Sequence, residues 1–290
     1  MGMKNKAATF CAILAAALYA LNAPASKLLL GNVPPTVMAG FLYLGAGIGM
    51  FCVGLIQKET GTGRKELPLT KAELPFTIGM VVLDIAAPIF LMVGLTMTSA
   101  ANASLLNNFE IVATSLIAFF VFQESISKRL WWAIMLVTIS SAILSVEDLS
   151  GFHFSFGSLF VLLACVCWGL ENNCTRKLSS KNPLQIVVIK GIASGCGSLL
   201  IAVAIGERFP NCLWLLAAML LGFFAYGLSI YFYIYAQRGL GAAKTSAYYA
   251  ISPFIGVAIS LILFREIPTT SFVVALVIMI GGTYLAATDS

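Results

Sequence analysis

Four ionisable side chains lie near the middle of long apolar segments, where a charged group is costly. They are Asp84, Glu110, Glu171 and Lys190. A charge at the centre of a bilayer costs at least about 2.5–3.5 kcal/mol on insertion scales, so such residues normally face a cavity or a partner. The chemistry open to them is ion pairing, proton exchange or the binding of a charged ligand.

Asp84 and Glu110 are predicted to lie at one depth in two neighbouring segments. The connection between their segments is very short, which makes the segments antiparallel neighbours, and each acid is about halfway along. If the two carboxylates face each other, both will not ionise easily, and one could exchange a proton as access to it alternates. We hypothesise that this pair couples proton movement to ligand movement. The alternative is that one acid caps the backbone or contacts Asn107 or Asn108.

Glu171 and Lys190 are predicted to form an ion pair. Glu171 lies about five residues before one end of its segment, and Lys190 lies about seven residues into the next segment from the same side. Their depths therefore match, and a buried charge that loses its partner is strongly unfavourable. A role for either residue in binding a substrate is the alternative.

The elements that must position these side chains are apolar helices. Of the 290 residues, 60% are hydrophobic and 10% are charged, and the mean hydropathy is +0.96, whereas soluble domains carry about 25% charged residues. A helix needs about 20 apolar residues to cross a bilayer. We therefore predict an all-α integral membrane protein of ten transmembrane helices. The predicted spans are 7–29, 34–56, 75–95, 99–122, 130–146, 156–178, 184–205, 212–236, 242–264 and 270–287.

The basic residues predict that both termini lie in the cytoplasm and that the protein resides in the cell's inner, cytoplasmic membrane. With that orientation thirteen basic residues fall on the inner side and only Lys27, Arg208 and Arg265 on the outer side, as the positive-inside rule requires. The net charge of +5 then reflects topology, and no nucleic-acid partner is expected. The inner residues are Lys4, Lys6, Lys58, Arg64, Lys65, Lys71, Lys128, Arg129, Arg176, Lys177, Lys181, Arg238 and Lys244.

An internal repeat divides the chain into halves at 1–149 and 150–290. Residues 122–126 (FQESI) align with 264–268 (FREIP) at an offset of 142, and 19–22 (YALN) with 168–171 (WGLE) at an offset of 149. Five spans in each half is an odd number, so the two repeats must be inverted. Inverted repeats are characteristic of secondary transporters, whose site lies near the midplane between the halves.

The repeat also predicts which residues face one another across that site. Asn22 corresponds to Glu171, and Tyr226 corresponds to Asp84. We expect both on the opposite wall of a cavity, and Asn108 is a further polar candidate near Glu110. The aromatic residues Tyr19, Trp168, Tyr248 and Tyr249 could add ligand-contacting surface, although packing against helices or lipid is the commoner role.

Two stretches resemble the EamA-type repeat of the drug/metabolite transporter superfamily. The first is 94–106 (GLTMTSAANASLL), followed by Glu110 and Glu124, and the second runs from Gly239 to Glu266. The resemblance implies ten helices with cytoplasmic termini, a central cavity lined by spans 1, 3, 4, 6, 8 and 9, and export of amino acids or other metabolites. The family's Glu-Pro pair is divided here, since Ile111 follows Glu110 and Ser252 precedes Pro253. A carboxylate therefore stands in only one half.

We accordingly expect a secondary active transporter that exports amino acids or related amine-bearing metabolites, because the ionisable residues at cavity depth are three acids and one base. Protons are the candidate coupling ion, and lipid and a small molecule are the expected partners of a monomer or weak homodimer. Cationic drugs, uptake of a nucleobase or vitamin, and a channel-like facilitator are the alternatives. No GxSxG or HExxH pattern and no Cys/His cluster is found, so neither an enzyme nor a cofactor or metal site is expected.

Overall fold

The protein is built almost entirely of helices, and each of the ten predicted spans contains one. The structure is a computed structural model that describes residues 2–60, 66–148, 153–178, 181–240, 245 and 248–288. Three basic residues used in the charge asymmetry, Arg64, Lys65 and Lys244, lie outside the described residues, as does the 241–244 part of the second repeat motif.

The first half contains spans 1 to 5. Span 1 comprises Gly2–Ala20 and Asn22–Leu29, span 2 is Pro35–Glu59, span 3 is Leu74–Met97 after a short turn at Lys71–Glu73, span 4 comprises Ala100–Leu106 and Phe109–Phe122, and span 5 is Lys128–Ser145. A two-stranded antiparallel hairpin, Val146–Asp148 with His153–Phe154, leads into the second half.

The second half contains spans 6 to 10. Span 6 is Phe156–Leu178, span 7 is Pro183–Ala204, span 8 runs through Cys212–Gly222, a π-helical stretch Phe223–Leu228 and Ser229–Leu240, span 9 includes the helix Ser252–Phe264, and span 10 is Thr270–Ala287.

Eight helical segments are long and apolar enough to cross a membrane by length and composition. The other two predicted spans are special cases. Span 5 begins with Lys128 and Arg129, which lower its mean hydropathy, and the described helix of span 9 has only 13 residues. The chain is thus a multi-pass membrane protein of all-α fold, as the sequence predicted.

Short polar side chains fix where several helices begin. Ser99, Ser127, Asn182, Asn211 and Thr269 each accept a hydrogen bond from a backbone amide in the first turn that follows. Such N-caps satisfy amides that have no partner within the helix. Each of these caps lies at a junction between two predicted spans.

Spans 4 and 9 end in the same uncommon way. Gln123 and Arg265 adopt left-handed backbone conformations, with φ of 56° and 52°, and each terminates its helix. Non-glycine residues rarely adopt this region. Because the two residues are 142 positions apart, the repeat seen in the sequence extends to the backbone.

The helices of the two halves pack mainly against each other. Span 3 packs on span 6, span 1 on span 8, span 2 on span 7 and span 5 on span 10. Span 4 reaches two partners, because its first helix packs on span 9 and its second on span 6. The interruption at Asn107 and Asn108 thus divides span 4 between two neighbours.

Span 2 approaches spans 7 and 8 closely at glycines. A Cβ atom added to Gly45 or Gly222 would overlap with the backbone of Met219 or Leu42, respectively, and one added to Gly47 would lie 2.6 Å from the amide nitrogen of Ile192. Small residues allow helices to approach this closely in membranes.

We expect Gly222→Ala to lower the free energy of unfolding by about 1–3 kcal/mol, since overpacking forces the backbone apart. The measurement is thermal unfolding of the purified protein in detergent. Gly281→Ala is the matched control, because its new Cβ would meet only Leu136, at 3.9 Å. Equal stability of the two variants would contradict the close contact at Gly222.

Candidate functional site

Lys190 lies between two buried carboxylates at the centre of the molecule. Its Nζ is 3.0 Å from Oδ2 of Asp84 and 3.0 Å from Oε1 of Glu171. The three side chains come from spans 7, 3 and 6, and Asp84 and Glu171 are 0% and 2% exposed. Charges at this depth are tolerated because each has an opposite charge within hydrogen-bonding distance.

Both carboxylates have a second hydrogen-bond donor. The Tyr43 hydroxyl donates to Oδ1 of Asp84 at 2.8 Å, and the indole N–H of Trp168 donates to the Tyr43 oxygen at 3.4 Å. The Thr175 hydroxyl donates to Oε1 of Glu171. These bonds fix the acids in position around the lysine, which strengthens a charged cluster in a low-dielectric interior.

The predicted Glu171–Lys190 pair is therefore present, but it is part of a larger cluster. Asp84 joins it because span 7 packs against span 3 as well as following span 6. Within the described residues, no group of three or more His, Cys, Asp or Glu side chains is arranged to hold a metal ion. We name Asp84, Lys190 and Glu171 the charged triad.

Glu110 is separate from the charged triad. Its Oε1 accepts a hydrogen bond from Nδ2 of Asn172 at 2.6 Å, and Asn172 also donates to Thr114 at 3.2 Å. In the part of the chain that the structure describes, no basic group lies within 4.0 Å of the Glu110 carboxylate, and Lys190 and Glu171 act on it only electrostatically. Glu110 is thus an interior acid held by an amide.

The expected facing pair of Asp84 and Glu110 is not formed. The two acids lie in adjacent spans, but Asp84 contacts Lys190 and Tyr43 whereas Glu110 contacts Asn172. The reason is the interruption of span 4, since its second helix packs on span 6 and directs Glu110 there. Equal depth along two helices does not fix which way the side chains point.

Asn108 stabilises the interruption of span 4. Its Nδ2 donates to the carbonyl oxygen of Leu105 at 3.2 Å, and its Oδ1 accepts from the Thr283 hydroxyl at 3.3 Å. The backbone amide of Glu110 donates to the carbonyl oxygen of Asn107 at 3.1 Å, but the Glu110 carboxylate is held by Asn172 and not by the side chain of Asn107 or Asn108. Oδ1 of the neighbouring Asn107 is buried and accepts no hydrogen bond in the structure.

Tyrosine rings form a continuous aromatic wall beside these acids. The Tyr226 ring lies 5.2 Å from that of Tyr43 and 5.9 Å from that of Tyr19, and Tyr19 lies 5.7 Å from Tyr249. Glu110 is within electrostatic range of the hydroxyls of Tyr19, Tyr226 and Tyr249. The acid and the aromatic wall therefore belong to one interior region.

The two residues that the repeat placed opposite the acids contact each other. Nδ2 of Asn22 donates to the Tyr226 hydroxyl at 2.8 Å, and Ser26 donates to Oδ1 of Asn22 at 3.2 Å. Both Asn22 and Tyr226 are buried. Trp168 contacts Tyr43. The predicted site residues Asn22, Tyr226 and Trp168 therefore all join the polar network that includes the charged triad or the aromatic wall.

Tyr248 is the predicted site residue that does not join this network, since it is 37% exposed and makes no contact with these side chains among the described residues. Its neighbour Tyr249 is in the aromatic wall instead and lies 3.3 Å from the Ser229 hydroxyl.

The sequence analysis did not select Tyr43 or Asn172. Both are polar residues in long helices, and only the neighbouring spans reveal their roles.

Comparison with known proteins identifies relatives along the whole chain. The profile of the EamA-like transporter family matches residues 6–146 and again residues 155–288. An uncharacterized transporter of Methanothermobacter thermautotrophicus is 24% identical over 289 residues, which cover 94% of this chain and 84% of that protein. The uncharacterized transporter YyaM of Bacillus subtilis is 21% identical over 202 residues, 65% of each chain.

A solved crystal structure has a similar fold, with a TM-score of 0.70 at 19% sequence identity and 98% of each chain covered. At that identity the likeness concerns the fold alone.

We expect Lys190→Met to be the most damaging single change in the charged triad. It leaves two buried acids without a cation, which costs about 3–5 kcal/mol, whereas Asp84→Asn leaves Lys190 paired with Glu171. The measurement is the folded fraction by size-exclusion chromatography together with thermal unfolding. Adding Asp84→Asn to Lys190→Met should recover part of the loss. A Lys190→Met protein as stable as the parent would contradict the pairing.

Proposed function

The chain belongs to the EamA-like transporter family, and on that premise we propose that it is a secondary active transporter that exports a small amine-bearing metabolite such as an amino acid. We propose further that it consists of two inverted repeats, 1–149 and 150–290, in the inner membrane with both termini in the cytoplasm. One observation carries the choice of substrate, and it is the absence of a cationic partner for Glu110 among the described residues.

The interior acids are not equivalent as binding groups. Asp84 and Glu171 share Lys190, and each has a further hydroxyl donor. Glu110 has an amide donor to Oε1 only, within the described contacts. Glu110 is half-buried. A partly desolvated carboxylate without a counter-ion is unfavourable, and a substrate ammonium group would supply one. Glu110 is therefore our candidate for the amine-binding residue.

The aromatic wall supports a cationic ligand. A cation above a tyrosine ring is attracted by the ring's quadrupole, by about 2 kcal/mol or more where water is excluded. Tyr19, Tyr226 and Tyr249 lie in electrostatic range of Glu110. An ammonium group in this region would have an acid and aromatic faces as neighbours, which favours amines over neutral nucleobases.

The second half offers a complementary group. Ser252, the first residue of the helix Ser252–Phe264, corresponds in the repeat to Glu110, which follows the interruption of span 4. The Ser252 hydroxyl is buried without a partner in the described structure. A hydroxyl group without a partner can donate a hydrogen bond to a carboxylate. A substrate that carries both an ammonium and a carboxylate group, as an amino acid does, matches an acid in one half and a hydroxyl donor in the other.

The charged triad is our candidate for proton coupling. With all three groups ionised it has a net charge of −1, and one added proton makes it neutral while Lys190 keeps a carboxylate partner. Because Lys190 keeps an ionised carboxylate partner in both protonation states, the interior tolerates both. We therefore propose that Asp84 and Glu171 couple protons and that Glu110 binds the amine, so that different residues carry the two roles.

We expect amino acids to raise the melting temperature of the purified protein, because a ligand that binds only the folded state stabilises it by mass action, by about 2.7 kcal/mol at a concentration 100 times Kd. Glu110→Gln should abolish the shift, whereas Glu110→Asp, which keeps the charge, should retain part of it. The screen includes polyamines, nucleosides and cationic dyes. Stabilisation by a nucleoside or neutral vitamin that persists in Glu110→Gln would refute the amine proposal.

We expect Asp84→Asn to separate binding from coupling. The variant should still be stabilised by the amine found in the screen, because Glu110 is intact, but substrate-driven proton flux in liposomes should fall at least tenfold. The measurement is the signal of a pH-sensitive dye trapped in the liposomes as substrate is added. Unchanged flux would remove the charged triad from coupling, and a substrate flux that never saturates would indicate a channel-like facilitator.

A further inference from the structure

Two glutamates at opposite ends of the molecule follow the same left-handed backbone corner. Gln123 and Arg265 are, within the described residues, the two non-glycine residues with positive φ, and Glu124 and Glu266 come directly after them. Uncommon backbone conformations persist where the surrounding structure imposes them, and they are enriched at functional and switching segments. We call the two ends of the molecule the Glu124 end and the Glu266 end.

At the Glu124 end a two-pronged ion pair joins the two halves. Nη1 of Arg176 donates to Oε2 of Glu124 at 2.7 Å, and Nη2 contacts Oε1 of the same carboxylate. Glu124 follows span 4 in the first half, and Arg176 lies in the last turn of span 6 in the second. Such a paired geometry combines charge with directional hydrogen bonds, so it holds the ends of spans 4 and 6 together.

The corresponding residues at the Glu266 end are not paired. Lys27, in the last turn of span 1, corresponds to Arg176 in the repeat, and Glu266 corresponds to Glu124. Glu266 is close enough to act electrostatically on Lys27, but no ion pair between them is formed within 4.0 Å. Nζ of Lys27 instead donates to the carbonyl oxygens of Thr98, at 2.8 Å, and Leu95.

A cavity of about 500 Å³ lies at the Glu266 end. It is lined by residues of both halves, which include Thr98, Asn102, Leu144, Glu266 and Phe272. Thr98, which holds Lys27, and Glu266 are thus both on the cavity wall. The end whose ion pair is absent is the end at which this cavity lies.

We propose that Glu124–Arg176 and Glu266–Lys27 are two alternating latches, of which one is closed when the other is open. This rests on the proposed function, since a transporter that moves a substrate through a fixed site must open each end in turn. In the opposite state Lys27 leaves the end of span 3 and pairs with Glu266 across the cavity, while Arg176 and Glu124 separate.

The exchange of hydrogen-bond partners at Lys27 costs little free energy. The carbonyl oxygens that hold Lys27 are at the C-terminal end of a helix, where the helix dipole is negative and attracts a cation. Lys27 therefore exchanges one set of oxygen acceptors for another and is never left without a partner. Arg176 and Glu124 are half-exposed, 54% and 36%, so their pair biases the equilibrium moderately and remains reversible.

The test uses two cysteine reporters in a background whose seven native cysteines are replaced by serine or alanine. Ile143→Cys places a thiol on the wall of the described cavity, and Leu285→Cys places one at the corresponding position of span 10, 142 residues later. The protein is reconstituted in lipid nanodiscs, where a water-soluble maleimide reaches both faces. The readout is the labelling rate at each position.

Glu124→Gln should lower the labelling rate at position 143 about two- to fivefold and raise the rate at position 285 by a similar factor, as expected from loss of one half-exposed ion pair. Glu266→Gln should shift the rates in the opposite directions. The charge exchange Glu124→Arg with Arg176→Glu should restore the parental rates. Glu59→Gln, which removes an exposed acid at the last residue of span 2, is the matched control and should change neither rate.

Unchanged rates in Glu124→Gln would overturn the proposal, and so would rates that rise together at both positions, because general loosening exposes both thiols. The labelling needs no substrate, so it is independent of the amine proposal. Opposite shifts at the two positions in a protein that transports no amine would support the latches and refute the substrate.

Discussion

The contact of Lys190 with Asp84 and Glu171 is the interaction that the rest of the interior depends on. Removing a charge from water is expensive, and the cost is offset only when an opposite charge and further donors meet it. Spans 3, 6 and 7 must therefore stay at the depth and rotation that bring these atoms to 3.0 Å. Tyr43 and Trp168 extend the same requirement to span 2 and to the aromatic wall.

The scaffold of the two halves is symmetric, whereas the chemistry in it is not. Helix caps at Ser127 and Thr269 and the corners at Gln123 and Arg265 repeat at one offset. The acids do not, because Glu110 has Ser252 as its counterpart and Asp84 has Tyr226. The proposed exchange of roles between the two ends would use the symmetric frame, and the proposed substrate, with two different ends, would use the asymmetric interior.

The sequence predicted the spans and the Glu171–Lys190 pair because both depend on position along a helix axis. Depth follows from counting residues at a fixed rise. Rotation about the axis does not, so the sequence left open whether Asp84 faces Glu110, and Asp84 is found against Lys190. The interruption at Asn107 and Asn108, which directs Glu110 to Asn172, has no proline or glycine to reveal it. Tyr248 and Tyr249 were both candidates, and the rotation of about 100° between consecutive residues leaves only Tyr249 in the aromatic wall.

The glycine contacts of span 2 have a consequence for motion. Along Gly45 and Gly47 the backbone of span 2 touches the backbones of spans 8 and 7 with no side chain between them. At Gly40 and Gly49 of the same helix, the side chains of Leu199 and Phe223 fill the space beside the glycine. Because these side chains would have to withdraw before span 2 could turn on its neighbours, spans 2, 7 and 8 are expected to move together as one group.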